Sequence, residues 1–273
     1  TQGFQQTETD KYILQDEALN YRVLNLASNT FNENNTSYWH KSVGGYHAAK
    51  LRRYQEMIEE HISGEMSALF SGVSEAEGDL EKLNPLEFPV LNMLNTRYFI
   101  FPLQGGQTVP LENPFALGNA WFVNEVQYVA NANEEIEAIH GLDPSQKAVV
   151  DKKFQSVVKP VESDSTAVIE LVAYEPNYLK YEVDSEKGGT VVFSEIYYPG
   201  WQSTIDGKDT PHGRANYILR AMYVPAGKHV VEFRFDPKTL HTTETIAFIA
   251  LGLMALLAIV VVVLRVKAYR KAG

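Results

Sequence analysis

IAFIALGLMALLAIVVVVL, residues 246–264, is the stretch on which the interpretation of the chain depends. It contains nineteen consecutive residues without a charge. A helix of this length spans roughly 28 Å at about 1.5 Å per residue, close to the ~30 Å hydrocarbon core of a bilayer. The alternative, a helix buried in a globular core, rarely stays apolar on every face over such a length. We therefore predict one transmembrane helix over residues 245–265.

A basic cluster follows the apolar stretch at once and consists of Arg265, Lys267, Arg270 and Lys271. Such clusters stay on the cytoplasmic side of a membrane. Residues 266–273 are therefore predicted to form a cytoplasmic tail, and the residues before the helix to lie outside the cytoplasmic (inner) membrane, in the periplasm. The lipid bilayer is the first predicted partner.

The part of the chain before the helix is acidic, with 20 Lys and Arg against 34 Asp and Glu. A net charge of this sign disfavours nucleic acid, so no nucleic-acid partner is predicted. Hydrophobic residues make up 45% of the chain, which is enough for a packed core. The lack of cysteine excludes disulfides, zinc–thiolate sites and cysteine nucleophiles.

The chain starts at Thr1 and does not show the pattern of a signal peptide. A domain outside the membrane needs a route across it. We therefore expect the sequence to be a fragment whose upstream membrane segments are missing, and we expect a transmembrane bundle formed by those segments as a second partner.

Residues 1–160 are predicted to form a mixed α/β extracytoplasmic region. Alternating apolar residues favour strands, and apolar residues three and four apart favour helices. Predicted strands cover residues 20–27, 97–101 and 121–130. Predicted helices cover a segment that opens at Gly44-Gly45 and runs to about Ile62, and residues 89–95, 133–140 and 145–153. Irregular structure is expected over residues 63–88 and 102–119, where turn-forming residues are frequent.

Residues 161–240 are predicted to form an antiparallel β-sandwich. From Thr166 onward apolar and polar residues alternate with a period of two. Short strands are predicted over residues 166–174, 178–184, 189–197, 201–205, 214–224 and 228–235. Turn residues such as Asp206-Gly207 separate them. The fold class is therefore α+β, and the sandwich should sit close to the membrane because its last strand nearly reaches the helix.

No motif for common catalytic chemistry is present, since the sequence has no Walker loop, G-x-S-x-G, H-E-x-x-H or dinucleotide fingerprint. The seven histidines are scattered and none is paired at i, i+4. We therefore predict no catalytic residue, no cofactor and no metal site. A catalytic pair of carboxylates is not excluded, because a sequence does not show which carboxylates approach each other in space.

The segment from Tyr38 to Tyr54 combines aromatic rings, cations and a Gly-Gly turn before a predicted helix. Backbone N–H groups at a helix start, together with Lys and Arg, suit an anion such as a phosphate or diphosphate. The alternative is structural, with the aromatic rings in the core and Arg53 paired with a glutamate. The candidate ligand contacts in this segment are Tyr38, Trp39, His40, Lys41, His47, Lys50 and Arg53.

A second candidate surface is Tyr197-Tyr198-Pro199-Gly200-Trp201. An exposed aromatic ring at the edge of a sandwich can stack on a sugar ring, which makes Trp201 a further candidate ligand contact. In many sandwiches such a tryptophan instead covers the core between the sheets. The sequence favours the core position.

These segments also carry a family resemblance, with the matching residues at 21–26, 38–54, 92–98, 198–201, 206–207 and 224–229. Over nearly its whole length the chain resembles the C-terminal part of the bacterial YfhO family of membrane proteins, in its Bacteroidetes form. The resemblance implies a multi-span glycosyltransferase of the GT-C type, which moves a sugar from a polyprenyl-phosphate carrier onto a cell-envelope acceptor. In that class the general base lies in the first outer loop. No position here matches that loop, so the resemblance assigns no catalytic residue to this chain.

Three functions follow as hypotheses. The leading one is an accessory, acceptor-binding domain outside the cytoplasm, belonging to such a glycosyltransferase; its partners would be a polyprenyl-phosphate sugar and an envelope glycan. The first alternative is a membrane-tethered module that binds carbohydrate without catalysis. The second is a structural module with no ligand. Small residues in the apolar helix (Ala247, Gly252, Ala255 and Ala258) favour packing on other membrane helices and hence the first hypothesis.

Overall fold

The computed structural model describes residues 4–159 and 166–272. The helices are α1 (Glu8–Ile13), α2 (Asn35–Trp39), α3 (Arg52–Met57), α4 (Ser63–Glu75), α5 (Pro89–Met93), α6 (Ala132–Glu137) and α7 (Lys238–Ala272). The strands are β1 (Arg22–Asn25), β2 (Thr96–Pro102), β3 (Thr108–Glu112), β4 (Ala120–Phe122), β5 (Glu125–Val129), β6 (Lys147–Asp151), β7 (Val168–Glu175), β8 (Tyr178–Ser185), β9 (Gly189–Ile196), β10 (Trp201–Ile205), β11 (Lys208–Asp209), β12 (Gly213–Ala215), β13 (Leu219–Val224) and β14 (Gly227–Phe235). The fold class α+β is confirmed.

The first sheet has the order β1-β2-β3, with β1 parallel to β2 and β3 antiparallel to it. It forms because Val23, Leu24 and Phe99 are fully buried in the core under the helices. The predicted strands at 20–27 and 97–101 are confirmed. The expectation of irregular structure over 102–119 was wrong at β3, where Thr108 to Glu112 pair with β2.

The predicted helix start at Gly44-Gly45 was wrong. The helix begins at Arg52 and continues through a π-helical turn, Ile58–Ile62, to Glu75. The two glycines lie instead in a loop that is pinned to Thr30: the Gly45 N–H donates to the Thr30 carbonyl, and Gly45 has a φ of +99°. The helix extends into the predicted loop at 63–88 because Leu69 and Val73 continue its buried face.

The predicted helix at 145–153 was also wrong, since this segment forms the strand β6, parallel to β5. Ala148, Val149 and Val150 are all fully buried. A continuous apolar run of this kind is typical of a strand covered on both faces, and periodicity alone does not separate it from a buried helix. The predicted strand at 121–130 is divided into β4 and β5, which belong to different sheets.

The C-terminal half contains two antiparallel sheets with the orders β11-β10-β14-β8-β7 and β12-β13-β9-β4. They face each other across a core in which Tyr181, Phe193 and Phe233 meet edge to face. The predicted antiparallel strands are therefore confirmed, except that the predicted strand at 214–224 is divided into β12 and β13 by a turn in which Asn216 and Tyr217 have positive φ. Because β4 comes from the N-terminal half, the second sheet joins both halves of the chain, and the division at residue 160 stays a prediction.

Helix α7 leaves the sandwich directly after β14. Residues Thr239–Ala268 have a mean hydropathy of 3.2 over their most apolar window, and none of that window is buried against the rest of the chain. This segment is long and apolar enough to cross a membrane, as predicted from the sequence. Strand β10 lies beside the start of α7, because Trp201 pairs with Phe235 and the Asp236 N–H donates to the Gly200 carbonyl over 2.9 Å.

Candidate ligand-binding cleft

A cleft of about 580 Å³ lies between the loop that precedes α3 and the edge of the sandwich. One wall is the segment 42–51 together with Tyr54 of α3. The other wall is formed by the turn between β9 and β10, with Tyr198 and Trp201. The floor is made by Arg22, Glu195 and Arg220, which come from β1, β9 and β13. The cleft therefore brings together the two surfaces that the sequence marked separately.

The floor of the cleft carries buried charges. Arg22, Glu195 and Arg220 are 5%, 9% and 2% exposed. Lys41 donates to Glu195 Oε1 over 2.7 Å and to the Asn20 side chain over 2.8 Å. The carboxylate of Glu195 is thus paired with Lys41, while Arg22 Nη2 lies 4.0 Å from it.

The two arginines of the floor are held by neutral groups. Arg22 Nη1 donates to the carbonyls of Leu94 and Ser194. Arg220 Nε donates to the Ile196 carbonyl over 3.1 Å, and its guanidinium carbon lies 4.0 Å from the centre of the Trp201 ring. Such a cation–π contact stabilises a desolvated guanidinium without neutralising its charge. The floor therefore keeps an excess of positive charge.

The pKa values of the floor residues reflect burial and charge. Burial, followed by the nearby Arg22, lowers the pKa of Lys41 to about 8. Burial likewise lowers the pKa of Arg220 to about 10. Burial acts to raise the pKa of Glu195, but Arg22 and Lys41 outweigh it and hold this pKa below its usual range. Glu195 is therefore an anion at neutral pH and Arg220 stays a cation.

The wall formed by residues 42–51 is fixed by short contacts. The Tyr54 hydroxyl donates to the Val43 carbonyl over 2.6 Å, and the Gly44 N–H donates to the Ser42 hydroxyl. A side chain at Gly44 would collide with Thr30, whose carbonyl oxygen would lie 2.1 Å from the added Cβ. The Gly-Gly pair thus serves close packing of the wall rather than a helix start.

Of the residues singled out in the sequence, His47, Lys50 and Trp201 line the cleft. Lys41 does not line it, but it hydrogen-bonds to Glu195 of the floor. Lys50 Nζ also lies 5.3 Å from the centre of the Phe31 ring. Trp201 combines the two positions considered for it, since it packs against the sandwich core and also forms a wall of the cleft.

Three other candidates do not line the cleft. Tyr38 is exposed and stacks on Phe4 at 4.7 Å, with Trp39 edge-on to it. His40 is buried, and its Nε2 lies 2.8 Å from Asp10 Oδ1. The contact between His40 and Asp10 joins α2 to α1. All three side chains therefore have contacts within the chain that account for their positions.

Arg53 also lies outside the cleft. Its Nη1 is 3.6 Å from the buried carboxylate of Glu135, and its guanidinium carbon is 4.4 Å from the centre of the Tyr217 ring. Glu135 in addition accepts from Arg214 Nη2 over 2.7 Å. Arg53 therefore has the glutamate partner that the structural alternative expected.

Sequence reasoning missed Arg22, Glu195 and Arg220. A signal for the last two was present, because each places a charge in a strand that has no other charged residue and is buried along most of its length. Charges in such positions are rare unless they are paired or functional. Within residues 4–159 and 166–272 no group of three or more His, Cys, Asp and Glu side chains is arranged to hold a metal ion.

Residues 143–247 match the model of the family described as bacterial membrane protein YfhO. The resemblance to that family is confirmed over this segment. The match runs from just before β6, through the sandwich, into the start of α7, so it contains Glu195, Trp201 and Arg220. Curated proteins and solved structures gave no match. The YfhO match agrees with the apolar helix in indicating a membrane protein.

Proposed function

We propose that the chain is the extracytoplasmic accessory part of a polytopic glycosyltransferase of the YfhO family. In this proposal the cleft holds either the acceptor glycan or the polyprenyl-phosphate-linked sugar during modification of the cell envelope. The chemistry itself would take place on membrane segments of the parent protein, because the sequence offers no catalytic motif.

The observation that carries the proposal is the place of the cleft beside the membrane helix. Its aromatic wall, Tyr198 and Trp201, packs on Phe235, and α7 begins at Lys238. The helical residues between Pro237 and Ile246 span only roughly 14 Å at about 1.5 Å per residue. A ligand in the cleft would thus lie within reach of a carrier lipid whose head group is at the membrane surface.

A tethered carbohydrate-binding module is the second candidate, and the wall of the cleft favours it equally. Tyr198 is 45% exposed and Trp201 is half-buried, so aromatic faces are available next to charged groups. This combination suits sugar rings, which stack on aromatic rings and hydrogen-bond at their edges. A tethered module would bind glycan as the first candidate does, but it would not be part of any transfer reaction.

Reconstitution separates the two candidates. The full-length parent protein, placed in lipid vesicles with a polyprenyl-phosphate sugar and envelope glycan, is expected to transfer the sugar, whereas residues 1–273 alone are expected to transfer none. The product is measured by mass spectrometry of the glycan. A full-length protein that binds glycan without transferring sugar would support the tethered module. Turnover by residues 1–273 alone would contradict the accessory role.

A further inference from the structure

The guanidinium of Arg220 has a hydrogen-bonding group without an acceptor at the floor of the cleft. Its Nη1 is buried and, among the residues that the structure describes, finds no hydrogen-bond partner. Arg220 as a whole is 2% exposed and lines the cleft. Buried donors of a charged group are normally satisfied by protein or by ordered water, and because this one borders the cleft, a ligand bound there could supply the acceptor.

The charges around Arg220 indicate the kind of acceptor. Among the described residues that line the cleft, Arg22, Lys50 and Arg220 are cations and Glu195 is the single anion. Glu195 is already bound by Lys41 at 2.7 Å, outside the lining. Three cations against one anion leave the lining with an excess of two positive charges, and Lys41 adds one more from behind Glu195, so the cleft matches a dianion better than a neutral sugar or a single carboxylate.

We propose that the floor of the cleft, built on Arg220 and Arg22, is a subsite for a phosphoryl group of the ligand. The inference rests on the proposed function and deepens it, because it assigns the cleft to the phosphorylated donor rather than to the acceptor glycan. Trp201, stacked on Arg220 at 4.0 Å, would place a sugar ring next to that phosphoryl group.

The burial of Arg220 supports a role in binding over a role in stability. A buried cation without a full set of partners usually destabilises a fold, and replacing it by an apolar side chain of similar volume is often neutral or stabilising. The unpaired Nη1 beside the cleft is therefore better explained by a ligand than by a stabilising role. Arg220→Met is accordingly expected to keep its melting temperature within a few degrees of the unaltered protein, whereas a purely structural arginine would lower it strongly.

The test uses the whole chain, residues 1–273, in nanodiscs of phosphatidylcholine, with glucose 1-phosphate as the probe and isothermal calorimetry as the measurement. Methyl glucoside and glucuronate are the matched neutral and carboxylate probes. Glucose 1-phosphate should bind more tightly than both. Its affinity should fall roughly 10- to 150-fold in Arg220→Met, the range that corresponds to the loss of one hydrogen bond to a charged group. Arg234→Met, which removes an exposed cation of β14, should leave the affinity unchanged.

The source of the phosphoryl group is decided by a second arm, in which part of the phosphatidylcholine is replaced by phosphatidic acid. Competition with glucose 1-phosphate assigns the site to a lipid head group, and its absence to a free phosphorylated sugar. Equal binding of the three probes, or an unchanged affinity in a folded Arg220→Met, overturns the proposal. If Arg220→Met does not fold, the affinities of the unaltered chain for the three probes still decide whether the cleft prefers a phosphoryl group. Sugar transfer is measured separately, so failure of this subsite and failure of the proposed function remain distinguishable.

Discussion

Glu135→Ala is expected to lower the free energy of unfolding by about 3–5 kcal/mol, the usual range when one partner of a buried ion pair is removed. Glu135 is completely buried, and its carboxylate binds Arg214 at 2.7 Å and the Tyr217 N–H at 3.2 Å. Removing it would leave Arg214, itself 5% exposed, with Asp151 at 3.8 Å as its remaining ion-pair partner within the described residues. For a domain of this size the melting temperature should fall by roughly 6–20 °C.

Glu137→Ala is the matched control for this change, because Glu137 lies on the same helix, α6, and is exposed. Its melting temperature should stay within about 2 °C of the unaltered protein, as expected for a surface substitution. Thermal unfolding followed by circular dichroism measures both variants. Equal melting temperatures for the two would contradict the buried cluster that joins α3, α6 and the sandwich.

If the chain belongs to a glycosyltransferase as proposed, Trp201→Ala in the full-length protein is expected to lower sugar transfer by a factor on the order of 30. Trp201 forms the wall of the cleft and covers Arg220, so its removal takes away both a stacking surface and the partner of a buried cation. The loss corresponds to about 2 kcal/mol, the threshold for a residue that dominates a binding site. Transfer is measured as labelled sugar on envelope glycan, per amount of folded protein.

Two variants control for this loss. Trp201→Phe keeps an aromatic ring and should retain most of the transfer. Tyr12→Ala removes an exposed aromatic ring from α1 and should leave transfer unchanged. Because Trp201 also packs against the sandwich core, Trp201→Ala will lower the melting temperature as well. If transfer per amount of folded protein does not change in Trp201→Ala, Trp201 has only the structural role.

Strong local patterns allowed the membrane helix and the sandwich strands to be predicted from sequence. In β14, Val231 and Phe233 are fully buried while Arg234 is exposed, so the period of two is visible in the sequence. The segment 246–264 needs no tertiary information at all, because its length and lack of charge are sufficient. Both signals arise from contact with an apolar environment. In a strand of the sandwich one face meets it, and in the helix all faces do.

The errors fell where tertiary structure overrides local pattern. Residues 148–150 are apolar on successive positions, and they form a strand because β5 lies parallel beside them. Gly44-Gly45 resembles a helix entrance in sequence, but the close approach of Thr30 explains Gly44, and a φ of +99° explains Gly45. In both cases a partner distant in sequence determines the local conformation, and a single sequence does not name that partner.

The candidate site was predictable only in part. Lys50, His47 and Trp201 were singled out because their segments are rich in aromatic and charged residues. Arg22 and Arg220 complete the cleft from strands almost two hundred residues apart, and only the folding of both halves onto each other brings them together. Arg53 was grouped with the site by sequence proximity, yet it faces Glu135 on the other side of α3.

Labelling with a membrane-impermeant maleimide tests most directly whether the cleft faces outward beside the membrane. The chain has no cysteine, so Tyr198→Cys at the rim of the cleft and Ala272→Cys in the tail each give a single reporter. They are introduced one at a time into the parent protein, whose own labelling is subtracted. In intact spheroplasts Tyr198→Cys should be labelled, and Ala272→Cys only after the membrane is permeabilised. Labelling of Ala272→Cys but not of Tyr198→Cys in intact spheroplasts would contradict the account.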